Sequence, residues 1–178
     1  MGVDSLNLSP DVRGAIEGFP CELRKKSMVF LRQIERAFRF LVDIGYSPAV
    51  LAPIDDQFPY RIEVLYGFSE QDREVSVRYI PRKKDSPRED ILVISMWRNL
   101  AARGGIRGWD AKIWPDIYLS KFHPDFDVSK LDLRSFQGPF QCRLELCLEV
   151  WASVLQNELQ DVILGTKWVN GMYVTPFD

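Results

Sequence analysis

The stretch Tyr60-Arg61-Ile62-Glu63-Val64-Leu65-Tyr66-Gly67-Phe68 decides the fold class. Tyr60, Ile62, Val64, Tyr66 and Phe68 alternate with Arg61, Glu63, Leu65 and Gly67. A period of two belongs to a strand with one face on a core and the other toward solvent. The alternation predicts that Tyr60, Ile62, Val64 and Tyr66 face the interior, with Arg61 and Glu63 opposite. After the polar residues Ser69–Arg73, Val75, Val77 and Tyr79 alternate with Ser76 and Arg78, so the two runs form an antiparallel hairpin. The charged stretch Arg82–Asp90 is a loop, and Ile91–Trp97 is a third strand, apolar on both faces and therefore more buried.

Working outward, helices flank these strands. Phe30, Ile34, Ala37, Phe38, Leu41 and Ile44 recur at helical spacing within Leu23–Ile44, and Gly45 and Pro48 close that helix. Leu144, Cys147, Leu148, Trp151, Val154, Leu155, Leu159 and Val162 trace the apolar stripe of a second, over 139–164 and closed by Gly165. Residues 1–20, rich in Gly and Pro, read as an irregular arm or a short helix around Asp11–Ile16. Arg98–Gly138 has weak periodicity: Ile113–Phe122 is a short strand or helix, and His123–Ser135 an exposed loop. Helix, antiparallel strands and helix in that order imply one α+β domain over residues 1–178. Its expected form is a meander of three to four strands covered by two long amphipathic helices.

The composition is that of a folded globule. Of 178 residues, 46% are hydrophobic and 27% charged, and eleven Phe, six Tyr and five Trp supply core volume without disulfides or metal. A net charge of −2 gives no global attraction to nucleic acid or anionic lipid. The start of the chain lacks a basic segment followed by an apolar one, and no apolar run approaches the roughly 20 residues of a membrane span, so cytoplasm is the expected compartment. Cys21, Cys142 and Cys147 match neither zinc nor redox spacing and read as reduced, partly buried thiols.

Motifs for chemistry are sparse. His123 is the one histidine, and no nucleophile or orienting acid beside it completes a triad. Asp125, Asp127 and Ser129 begin a calcium-loop spacing that Leu131 and the lack of a following Gly and Glu end. Gly104-Gly105-Ile106-Arg107-Gly108 lacks the lysine and serine or threonine of a phosphate loop and reads as a flexible turn. The basic cluster Arg82, Lys83, Lys84 and Arg88 is offset by Asp85, Glu89 and Asp90 and reads as a solvated loop. What stands out is Trp97, Arg98, Arg103, Arg107, Trp109 and Trp114, because tryptophan and arginine dominate protein-interface hot spots.

Three segments carry a family likeness: the helix close Ile34–Tyr46, the hairpin Tyr60–Phe68 with Glu74–Pro81, and the late helix Leu144–Leu164 with Gly165. In this layout the chain resembles small bacterial α+β proteins of the immunity-like class of toxin systems, over roughly residues 30–98 and 140–166. The section 98–138 departs from that pattern. The resemblance implies a cofactor-free protein that binds and blocks a partner protein. Two readings follow: a non-enzymatic protein-binding domain using the Trp/Arg residues named above, or an enzyme or small-ligand protein with a pocket where His123, an Asp and an Arg converge.

Overall fold

The computed structural model describes residues 10–54, 60–68, 73–83, 85–86, 89–98 and 112–168. Strands β1 (Val50–Leu51), β2 (Ile62–Phe68), β3 (Arg73–Ile80), β4 (Ile91–Arg98) and β5 (Lys112–Ile113) form one antiparallel sheet in sequential order. The sheet therefore has five strands where three to four were expected, with β1 and β5 added at the edges of the three central ones. Both additions are two residues long, too short for alternation to reveal. Its centre is as anticipated, with Val64 opposite Val77 and Val77 opposite Ile94.

Helices α1 (Pro10–Glu17), α2 (Cys21–Ala37), α3 (Arg39–Asp43), α4 (Pro115–Phe122), α5 (Phe140–Asn157) and α6 (Gln160–Leu164) complete the fold. Each of the two expected long helices is divided. The first breaks at Phe38, whose φ of −105° and ψ of 13° leave helical geometry while its ring stacks 6.1 Å from that of Tyr66. The second breaks at Glu158 and Leu159, which turns the short α6 so that Val162 and Ile163 also reach the core. The irregular arm gives way, from Pro10 on, to α1, which buries Ile16 and is followed by the buried Phe19.

The helices cover one face of the sheet. Ile62, Val64 and Tyr66 on β2, Val75, Val77 and Tyr79 on β3, and Ile94 and Met96 on β4 are buried beneath α2 and α5. Phe30 of α2 stacks on Tyr79 at 4.9 Å. Tyr60 is the exception to the expected alternation. It precedes β2, stays exposed, and meets Phe19 edge to face. Gly45 closes α3 with φ +102°, its N–H bonding Val42 O while Tyr46 N–H bonds Leu41 O, which satisfies two carbonyls at the helix end.

Between α4 and α5, the segment expected to be an exposed loop holds two short 3-10 turns, Val128–Leu131 and Leu133–Ser135, with Leu131 and Leu133 buried. Asp127 and Asp132 cap them: Asp127 accepts from Ser129 N at 3.1 Å, and Asp132 from Arg134 N at 2.9 Å. Those carboxylates are committed to turn geometry, which accounts for their spacing without a cation. The Trp151 indole N–H donates to Leu131 O at 3.0 Å and ties this segment to α5.

Candidate functional site

Of the six residues singled out from the sequence, the three that the structure describes, Trp97, Arg98 and Trp114, do not share one face of the sheet. Trp97 and Arg98 are neighbours on β4 and so point to opposite faces of the sheet. Arg98 lies opposite Arg73 at the core end, with its guanidinium 5.8 Å from the Trp168 ring. Trp97 faces away from the helices, directly across from Lys112 of β5. Trp114, two residues further on, joins it. Arg103, Arg107 and Trp109 lie outside the described residues, as does the glycine-rich 104–108.

Trp97 and Trp114 converge on Lys112. The ammonium sits 4.3 Å from the centre of the Trp97 ring and 3.7 Å from that of Trp114. Both are within cation–π range. Only 3% of Lys112 is exposed. Burial pushes its pKa down to about 8, with Arg78 adding to the fall and Glu63 opposing it. Beside it, Glu63 accepts from Ser76 Oγ at 2.5 Å and Arg78 Nη2 at 3.0 Å. Burial raises the Glu63 pKa, yet the hydrogen bonds from Arg78 and Ser76 outweigh that and hold it below its usual value. The outer face of the sheet thus carries a polar row, Glu63–Arg78, that ends in a lysine clasped by two tryptophans.

Trp114 also marks one end of a groove. β5 pairs with β4 only through Met96 and Trp97, so Ile91–Ser95 have no strand partner on that side among the described residues. Beyond this edge the chain turns through α4 and the two 3-10 turns and leaves a groove of about 1190 Å³. Leu92, Ile94, Leu131 and Trp151 give it an apolar lining, while Glu89, Asp116, Asp132 and Arg134 bring charge to it. Asp90, at the opposite end from Trp114, is held by Lys26, whose ammonium is 3.1 Å from both carboxylate oxygens. Arg134 pairs with Asp132 and lies 4.0 Å from Glu89.

His123 lies elsewhere. It caps the end of α4, its Nδ1 3.0 Å from Glu158 Oε2, with both side chains partly exposed. It does not line the groove. Among the described residues no group of three or more His, Cys, Asp or Glu is placed to hold a metal ion. Cys21 and Cys142 are exposed, contrary to the partly buried thiols expected, and Cys147 alone is buried. No helix among the described residues is long and apolar enough to cross a membrane.

No family model matches the chain, and neither a curated protein nor a solved structure matches it.

Sequence reasoning found Trp97 and Trp114 by residue type but missed Lys112 and the groove. The alternation of Lys112 and Trp114 about Ile113 was the available signal, masked by Pro115 one residue later. The groove had no local signal, because it is made by segments far apart in the chain.

Proposed function

We propose that this chain is a protein-binding domain whose site is the groove beside β4 together with the Trp97–Lys112–Trp114 clasp at its end. One observation carries the reading: the β4 edge Ile91–Ile94, which has no strand partner among the described residues, borders a groove that has both an apolar lining and charged groups. Backbone donors and acceptors on an open edge give directional affinity, and the apolar lining gives area, which is the combination a polypeptide partner uses. The half-buried Trp114 adds a rigid aromatic anchor of the type that dominates hot spots. The likeness to immunity-like proteins adds an occupant, a toxin that the domain would block. A nucleic-acid ligand fits less well, since Glu89, Asp116 and Asp132 would meet its phosphates. The test is affinity capture from the cells that encode the chain, using the wild type beside Trp114→Ala. A protein retained by the first and lost by the second supports the reading. Equal capture by both removes the groove from it.

A further inference from the structure

We infer that the partner presents an extended, basic segment, which adds to the sheet as a sixth strand along β4. This deepens the protein-binding reading and rests on it.

The edge itself gives the first argument. Proteins blunt open strands with lysine, proline or a bulge. Ile91-Leu92-Val93-Ile94-Ser95 has none of these, and its register with β3 is unbroken from Ile80↔Ile91 to Arg73↔Arg98. Among the described residues β5 pairs with the far end of β4 at Met96 and Trp97 and α4 packs against β4, while Ile91–Ile94 line the groove. The four residues that line the groove, Ile91–Ile94, span roughly 14 Å at about 3.4 Å each, and an added strand would lie about 4.8 Å away.

The wall gives the second. An added strand points alternate side chains to the two faces of the sheet. Those on the helix side would meet Leu131 and Trp151, and those on the other would pass Val93 and Trp114.

Charge gives the third and selects the occupant. Among the described residues four carboxylates line the groove, Glu89, Asp90, Asp116 and Asp132, against one cation, Arg134. Lys26 offsets Asp90. The remaining excess is negative, so the incoming segment carries lysine or arginine between its apolar residues. The same excess argues against a second copy of this chain. Edge-to-edge pairing of two β4 strands would bring both acidic sets together, and the 3-10 turns would stand between the sheets.

The test uses the full chain, labelled with ¹⁵N, and a blocked heptapeptide of alternating lysine and valine. Two controls accompany it: the same peptide N-methylated at alternate amides, and an alternating glutamate–valine peptide. The expected result is saturable binding that slows exchange of alternate amides within Ile91–Ser95 at least about tenfold, with both controls bound at least about tenfold more weakly. Asp116→Lys should weaken the lysine–valine peptide and leave the fold intact. Absence of binding at about 1 mM peptide overturns the inference, as does binding indifferent to N-methylation or perturbation confined to another surface. If the peptide fails while Trp114→Ala still abolishes capture of a partner, strand addition falls and the protein-binding reading stands.

Discussion

The Arg73 guanidinium occupies the space that a side chain on residue 165 would need. Gly165 ends α6 in the left-handed region at φ +73°, and an ideal Cβ built there collides with Arg73 Nη1 and Cζ. Arg73 is held in place by donating to Ile163 O at 2.5 Å and by lying 4.6 Å above the Phe68 ring. Tyr46 Oη donates to the same carbonyl at 2.9 Å, and burial pushes that phenol up to about 12, opposed by Arg73. Gly165→Ala therefore carries two costs, a left-handed backbone without glycine and displacement of a buried cation. We expect a loss of about 2–3 kcal/mol in urea denaturation, more than the roughly 1 kcal/mol of backbone strain alone. A loss below 1 kcal/mol would mean that Arg73 moves aside freely.

Asp90 joins α2 to the segment between β3 and β4. Its carboxylate takes Lys26 and, at 2.6 Å, the Arg82 N–H, while Lys26 also donates to Arg82 O at 2.7 Å. Its side chain is 6% exposed. Asp90→Asn keeps the shape, removes the charge and leaves the partly buried Lys26 with only the more distant Glu22, at 3.9 Å, as a counter-ion. The expected cost is about 2 kcal/mol, below the 3–5 kcal/mol of a fully buried pair because Lys26 retains some solvent. A urea midpoint equal to the wild type would show that the pair contributes nothing net.

Lys112 gives the fold a pH dependence whose sign is fixed. Its folded pKa lies near 8, below the unfolded value of 10.5. Between those values the unfolded chain binds more protons than the folded one, so this residue's contribution to stability rises with pH. Below pH 8 the ammonium is charged in both states, and its burial is a cost that the two tryptophan faces offset. Comparing wild type with Lys112→Met isolates the effect from other titrations. The wild type should gain on the variant from pH 8 to 10.5 and hold a constant difference below 7. A difference that is flat throughout would place the lysine's pKa at its ordinary value.

The parts of the fold written in local pattern were legible. The alternation at Ile62, Val64 and Tyr66 gave the buried face of β2, and Gly45 and Gly165 marked helix ends because only their backbones adopt φ of +102° and +73° cheaply. Tyr60 shows where alternation overreaches, since it continues the pattern but precedes the ladder. The breaks at Phe38 and at Glu158–Leu159 carry no proline or glycine, and the chain bends there with Phe38 stacked on Tyr66 of the sheet and Leu41 and Val162 buried in the core. That constraint is tertiary. The same holds for the site, where Trp97 and Trp114 were visible as residue types, but their shared lysine and the groove depend on β5 stopping after two residues.

The two tryptophans of the clasp should contribute unequally to partner binding. Trp114 lines the groove as well as covering Lys112, whereas Trp97 covers Lys112 from β4 and does not line the groove. Replacing either ring by alanine removes one cation–π face and uncovers the lysine, an effect common to both. Only Trp114→Ala also removes an aromatic wall from the groove. We expect Trp114→Ala to weaken the captured partner by at least about 2 kcal/mol, roughly thirtyfold, and Trp97→Ala by less than about 1 kcal/mol. Circular dichroism and urea midpoints must show both variants folded before affinities are compared. Arg98→Ala serves as the reference, since Arg98 points to the core end of the sheet beside Trp168 and should leave affinity nearly unchanged. Loss at Trp97 equal to that at Trp114 would move the interface from the groove to the outer face of the sheet, centred on Lys112. A dominant loss at Arg98 would move it to the Arg73–Trp168 end, away from both.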